Sequence, residues 1–410
     1  MIEYPSELDI IFDKFNKFNI RPIIVGGYVR DKILKITSKD IDIELYGLTS
    51  YEKIENILQE FGSVNSVGKS FSVCKLKYND LHLDFSLPRK DSKISSGHKG
   101  FKIDADANLD FKTAASRRDF TINALGYDVI SKKILDPFEG RKDLADKILK
   151  AVDLKKFSDD PLRVLRAIVF SVRFELSLEK KLFAQCKKMI EKGMLEELAK
   201  ERIFDEIQKL LLKSKKPSRG FLLLKKMNGF LYFKEFATLK EEEFHNLLQA
   251  LDTIKIANIP IMLAILIHKF SPLESHSFLH RLTNKKDLLK EVLTLVESQN
   301  MINLDNFTEY EVSLLATKVN IENFAKFLNA ITFLKKEKQI KLLLETAKKL
   351  HVLNTKASAI LQGRDIMKFG ITPSKKYSLI LKKAYDSQLK GLFSNYQEGL
   401  IWLKKSINSF

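Results

Sequence analysis

The stretch Ile23-Ile24-Val25-Gly26-Gly27-Tyr28-Val29-Arg30-Asp31, followed shortly by Lys39-Asp40-Ile41-Asp42-Ile43-Glu44-Leu45, decides how this chain is read. Three apolar residues run into two glycines, and Tyr28 to Leu34 then carries a helical pattern, so the segment reads as strand, turn and helix. A Gly-Gly turn lets backbone N–H groups approach a phosphate closely, and the helix start adds the positive end of its dipole. The second stretch alternates polar and apolar residues as a half-buried strand does. Alternate strand residues share a face, which puts Asp40, Asp42 and Glu44 on one side and Ile41, Ile43 and Leu45 on the other. Two carboxylates about 7 Å apart repel each other unless a cation lies between them, and hard oxygen ligands suit Mg²⁺. Each feature alone also fits an ordinary turn or a solvated strand. Their closeness in the chain joins them into one candidate site.

Outward from this point the first third stays mixed. Tyr51 to Phe61 reads as helix, and Phe71 to Leu76 and His82 to Leu87 as strands around a turn at Asn79-Asp80. Asp84 falls on the polar face of the second strand. It is either a third carboxylate, completing a two-metal site or taking the proton of an attacking hydroxyl, or a solvent-facing aspartate. Pro88 to Lys112 is a long, polar, basic connection with Ser95-Ser96-Gly97 near its centre, a length that is usually functional or disordered. Arg117 to Asn123 is expected to be one short helical stretch with Asp119 and Asn123 on one face. That face suits a ribose and a neighbouring arginine a phosphate, although an ion-paired helix end fits as well. Ser158-Asp159-Asp160-Pro161 is a helix start, with Arg163 and Arg166 placed to share the face of Asp159 and Asp160. An Asp–Arg pair held in this way offers both acceptors and donors to the edge of a base. It is equally the pattern of a helix-capping salt bridge.

Beyond about residue 140 strand signals fade and helical periodicity takes over, as in Pro161 to Phe174, Glu196 to Leu212, Phe221 to Met227 and Ile340 to Leu350. Lys213 to Pro217 interrupts the pattern. At 410 residues, 45% hydrophobic and 30% charged, the chain has the composition of a globular protein of two to four domains. Its most apolar run, Ile259 to Ile267, is too short to span a bilayer, and the opening Met1 to Pro5 lacks the features of a signal peptide. Cys74 and Cys186 are the only cysteines, which excludes a disulfide framework and a cysteine zinc site, and the compartment reads as cytoplasm. The net charge of +18 suggests a polyanionic partner, although lysine-rich helix faces produce such a charge on their own. Arginine is more telling. Of 13 arginines against 57 lysines, 11 lie in the first 220 residues, where a planar donor fork suits phosphates and base edges.

Together these segments resemble the bacterial tRNA nucleotidyltransferase and poly(A) polymerase family. Gly26 to Asp31 looks like its glycine motif, Lys39 to Asp42 its metal motif, and Arg117 to Ala124 its Arg-Arg-Asp-Phe-Thr-x-Asn-Ala motif. Leu135 to Gly140 with Asp143-Leu144 resembles the linker into the neck. Asp159 to Ala167 resembles the base-recognising segment, with Asp159 where the family usually has Glu. Glu201-Arg202-Ile203 with Glu206 matches a further neck motif, and Gly363-Arg364-Asp365 with Gly370 a weaker C-terminal signature.

The resemblance implies an α/β head (1–145) with a mixed sheet, an all-α neck (146–215), and an elongated helical body and tail (216–410). It implies template-independent addition of CCA to tRNA 3′ ends from CTP and ATP, without a membrane or a stable protein partner. Asp40 and Asp42 would hold two Mg²⁺ ions; Asp84, from the alternation of its own strand, is expected as a third catalytic carboxylate. Gly26, Gly27, Arg118 and Arg166 would meet the phosphates, Asp119 and Asn123 the ribose, and Arg30 would join the nucleotide-binding set. Asp160 and Arg163, with Asp159, would read the base. The Pro88 to Lys112 segment resembles the loop linked to the switch from C to A addition, and the basic body would grip the tRNA acceptor arm. The alternatives are an A-adding enzyme, a poly(A) polymerase, or an inactive RNA-binding relative. None of the seven histidines precedes an aspartate, so no His-Asp hydrolase site is expected.

Overall fold

The structure, a computed structural model, describes residues 2–48, 50–65, 73–93, 101–106, 109–255, 258–369 and 375–406. Contacts divide the chain into two compact units, Met1–Lys215 with Arg219–Lys234, and Lys216–Ser218 with Glu235–Phe410.

The first unit begins with α1 (Asp9–Lys17), β1 (Arg21–Val25), α2 (Gly27–Ile33), β2 (Asp40–Tyr46), α3 (Tyr51–Leu58), β3 (Val64–Asn65), β4 (Val73–Tyr78) and β5 (Leu81–Ser86). A two-stranded ribbon of β6 (Arg89–Lys93) and β7 (Phe101–Ala105) leads to α4 (Phe111–Ala115), β8 (Gly126–Asp128) and β9 (Lys133–Leu135). Seven strands form one sheet in the order β3-β4-β5-β2-β1-β8-β9. β2 and β5 are parallel and the other neighbours antiparallel, so the sheet is mixed, as expected. Ile23, Ile24 and Val25 are all buried, as befits a central strand covered on both faces. α1 covers the sheet through Ile11, Phe12 and Phe15, and the Phe15 ring lies 5.7 Å from that of Phe85 on β5.

Two local expectations are corrected. The supposed connection from Pro88 to Lys112 contains a β-ribbon, in register from Arg89 opposite Ala105 to Lys93 opposite Phe101. Arg-Lys-Asp-Ser-Lys carries no apolar alternation, so its strand leaves no hydrophobic signal. Ser95-Ser96-Gly97 lie outside the described residues. Nor is Arg117 to Asn123 a helix: α4 stops at Ala115, Phe120 is extended (φ −124°, ψ 149°) and bridges Ala151, and Thr121–Asn123 form a 3₁₀ turn. Asp119 explains the break. Its Oδ1 accepts the Phe120 N–H at 2.8 Å, a local bond that competes with helix.

The chain continues through α5 (Gly140–Ala145), α6 (Leu154–Phe157), α7 (Leu162–Arg173), α8 (Lys180–Glu191), α9 (Lys200–Lys213) and α10 (Ser218–Lys226). α7 buries Leu162, Val164, Leu165, Ala167, Ile168, Val169 and Val172, leaving its arginines on the other side. The second unit is helical from Glu241–Thr253 to Tyr396–Ser406. Its most apolar helix, Ile259–Ile267, is capped by the Asn258 side chain, which accepts the Ile261 N–H at 3.0 Å, and Ile261 to Ile267 are all buried. Among the described residues no helix is long and apolar enough to cross a membrane. Gly363–Met367 forms a short helix near the chain's end, and Gly370 lies outside the described residues.

Candidate active site

Register places the acid strand. On β2, Asp42 stands between Val25 of β1 and Asp84 of β5, and both Asp40 and Asp42 are exposed. The protein around Asp42 still desolvates it enough to raise its pKa. Arg118 opposes that rise, while the charges of Asp84, Glu44 and Asp40 add to it. A carboxylate whose charge is disfavoured in this way is a fitting ligand for a divalent cation. Among the described residues no group of three or more His, Cys, Asp or Glu gathers as a metal cage. Asp84 stands opposite Asp42 on the neighbouring strand, and its Oδ2 accepts from Lys75 Nζ at 2.8 Å. The pair Asp40 and Asp42 therefore fits cations that take further oxygens from substrate phosphates and water, as Mg²⁺ does.

Beside this strand opens a cleft of about 440 Å³ lined by Gly27, Arg30, Asp42, Arg118, Asp119, Asn123, Asp160, Arg163, Arg166 and Phe170. Its volume is in the range of small-ligand sites. Gly26 forms the turn with φ +70°, and a Cβ there would lie 2.5 Å from Arg118 Nη1. Only glycine serves at this place: the backbone is strained for other residues and the guanidinium occupies the space.

Buried Asp119 ties the cleft's middle together. Its Oδ1 accepts from Asn123 Nδ2 at 2.9 Å and its Oδ2 from Arg166 Nε at 2.7 Å, so these two do share a face without a helix. Arg30 is also buried. Its Nε and Nη2 donate to Asp31 Oδ1 at 2.8 and 2.6 Å, and its Nη1 donates to Asn123 Oδ1 at 2.5 Å. The ring of Phe170, one turn after Arg166 on α7, has the guanidiniums of Arg30 and Arg166 over it at 5.1 and 5.2 Å. The sequence reading missed Phe170, although its i, i+4 spacing from Arg166 was a signal.

The helix-start residues are arranged differently from the expectation. Asp160 caps α7, its Oδ1 accepting the Leu162 N–H at 3.1 Å, but its ion partner is Arg202 of α9, at 2.9 Å, and not Arg163. Arg163 Nη1 and Nη2 instead donate to the backbone oxygens of Lys156 (2.9 Å) and Arg117 (2.8 Å). The long arm of Arg202 reaches across from α9, a contact that no sequence spacing displays. Asp159 is half-buried and does not line the cleft.

Burial by itself would raise the pKa values of Glu44 and Asp119. Arg118 and Arg117 outweigh it at Glu44, and Arg166 with the Asn123 amide at Asp119, so both carboxylates sit below their ordinary values. A depressed folded pKa adds stability that is present above the unfolded pKa, about 4, and is lost as the pH falls through the folded value. The melting temperature is therefore expected to fall on acidification below about pH 4, and less so in Asp119→Asn, as thermal scans from pH 7 to 3 will read.

Residues 23–150 match the "Poly A polymerase head domain" family and residues 175–239 the "Probable RNA and SrmB- binding site of polymerase A" family. Among curated proteins, a "Multifunctional CCA protein" of Haemophilus ducreyi is 34% identical over 230 residues, covering 54% of this chain and 53% of the relative. The protein of the same name from Herminiimonas arsenicoxydans is 34% identical over 203 residues, 49% and 46% of the two chains. This chain thus spans about half the length of the curated relatives it matches. Among solved structures, the Bacillus stearothermophilus CCA-adding enzyme in complex with CTP superposes with a TM-score of 0.78 at 20% identity, over 99% of this chain and 98% of that one. The Thermotoga maritima CCA-adding enzyme complexed with tRNA_CCA gives 0.66 at 22% identity, over 99% and 97%. At these identities the superpositions establish the fold.

Proposed function

We propose, from the match of residues 23–150 to the poly A polymerase head-domain family, that this chain is a template-independent nucleotidyltransferase that completes the CCA end of tRNA from CTP and ATP. One observation carries the reading: a single cleft gathers Asp42, Arg118, the Asp119–Asn123 pair, and Asp160 with Arg163. These are the parts needed for metal, phosphate, ribose and base. Two Mg²⁺ ions held by Asp40 and Asp42 would supply activation of the RNA 3′-hydroxyl and neutralisation of triphosphate charge. Gly26, Gly27, Arg118 and Arg166 hold the phosphates in this reading, and Asp119 and Asn123 orient the ribose. Arg30, its donors engaged by Asp31 and Asn123, steadies Asn123 from its own place in the cleft lining.

The base is read by complementarity of hydrogen-bonding edges. Cytosine and adenine each show a ring-nitrogen acceptor beside an amino donor; uracil and guanine show a ring N–H beside a carbonyl. An arginine donor next to a carboxylate acceptor matches the first pair and opposes the second. Arg163 supplies the donor. Asp160 supplies the acceptor, since a carboxylate keeps lone pairs beyond those given to Leu162 and Arg202. The net charge of +18 supports a polyanionic RNA partner, in the cytoplasm where tRNA and both triphosphates are found.

The test is incorporation of each labelled nucleotide, with Mg²⁺, into tRNA transcripts ending before CCA, after C and after CC. CTP followed by ATP, stopping after CCA, is the expected result. ATP alone entering CC ends would assign an A-adding enzyme, and long A tails on many RNAs a poly(A) polymerase. Binding of tRNA without any incorporation would reduce the chain to an RNA-binding relative.

A further inference from the structure

Glu44 is the member of the acid face that the proposed reaction leaves without a task. It lies on β2, two residues beyond Asp42, and is 1% exposed. Its Oε1 accepts from two guanidiniums at once, Arg118 Nη2 at 2.9 Å and Arg117 Nη2 at 3.0 Å, while its Oε2 accepts from the Tyr46 hydroxyl at 2.9 Å. Arg118 also donates to the Asn123 backbone oxygen at 3.3 Å and lies against the Gly26 turn.

From this geometry we infer that Glu44 is a positioning residue for the pyrophosphate half of the nucleotide: it gathers Arg117 and Arg118 onto one carboxylate oxygen at a fixed distance from the acid pair. The inference rests on the nucleotidyltransferase reading above. Two guanidiniums converging on one atom repel each other, and a full negative charge between them holds them together. Because that charge is carried by the strand bearing Asp40 and Asp42, it sets the spacing between acid pair and arginines. A triphosphate engaging both depends on that spacing. A neutral isostere breaks the arrangement without changing its volume. Glutamine can turn its carbonyl oxygen to the arginines and its NH₂ to the Tyr46 hydroxyl, but it supplies no negative charge to hold the two guanidiniums together.

The experiment measures the Kd of inorganic pyrophosphate in the presence of Mg²⁺ for the full chain, Glu44→Gln and Glu44→Asp. KM and kcat for CTP and the Mg²⁺ concentration giving half-maximal activity are read alongside. Glu44→Gln is expected to weaken pyrophosphate binding and raise the KM by about tenfold or more, with the Mg²⁺ requirement within about twofold of wild type. Glu44→Asp, which keeps the charge on a shorter arm, is expected to fall between the two. It also carries the test if the glutamine variant does not fold. Pyrophosphate binding at wild-type strength in either folded variant overturns the inference, as does a Mg²⁺ requirement that shifts together with KM. If wild type incorporates nucleotides while the variants bind pyrophosphate unchanged, the inference alone falls. A wild-type chain that neither binds pyrophosphate nor incorporates nucleotide overturns the inference and the parent reading together.

Discussion

Asp42→Ala is expected to lower nucleotide incorporation by at least about 10³-fold, the scale of losing a principal electrostatic contact to the reacting centre. Affinity for tRNA should stay within about twofold, because phosphate contacts dominate RNA affinity and Asp42 is itself an anion. The size of the effect follows from position. Asp42 is exposed on the acid strand and lines the cleft, and three neighbouring carboxylates, Asp84, Glu44 and Asp40, disfavour its charge. Asp84 accepts from Lys75 and Glu44 from two arginines, while Asp40 and Asp42 are the pair this reading assigns to the cations. A stability readout separates loss of the site from loss of the fold. Mg²⁺ at about a hundred times its Kd stabilises a protein that binds it by about 2.7 kcal/mol. The wild-type melting temperature should therefore rise with Mg²⁺ and that of Asp42→Ala should not. Incorporation retained by the variant would remove Asp42 from the metal assignment.

The sequence displayed what is local and periodic. The strand before Gly26, the alternation of the acid strand and the turn at Asn79 are each written in a few adjacent residues, and the structure places them accordingly. It concealed what depends on long side chains crossing between elements. Asp160 meets Arg202 from a helix 42 positions away, and Glu44 meets Arg117 and Arg118 at 73 and 74. Spacing rules for a single helix could only suggest Arg163 as the partner of Asp160. The ribbon of β6 and β7 was hidden for the opposite reason: its Arg89 to Lys93 strand is polar throughout and lacks the apolar alternation that marks a half-buried strand. At Asp119 the pairing with Asn123 was legible while the backbone beneath it was not. One aspartate both accepts from the Asn123 side chain and breaks the helix that the spacing had suggested.

Arg163→Ala is expected to reduce the preference for CTP and ATP over GTP and UTP by about tenfold to a hundredfold, from the roughly 1–3 kcal/mol that a well-placed arginine contact contributes to base discrimination. Overall turnover should fall less than in Asp42→Ala, since the acid pair and phosphate arginines remain. The geometry gives the reason for a specificity effect. Two backbone oxygens, of Lys156 and Arg117, hold the guanidinium at its Nη1 and Nη2 and fix its plane, and the remaining donors stay for a ligand in the cleft. A donor whose plane is fixed before the nucleotide arrives rejects uracil and guanine because their ring N–H would face an N–H. Arg163→Lys should restore charge without discrimination, since a rotating ammonium has no plane to hold. Competition between the four nucleotides, at transcripts ending before CCA for CTP and after CC for ATP, reads the ratios directly. Full discrimination in both variants would move base reading away from Arg163, whereas loss in both would tie it to the planar fork and not to positive charge alone.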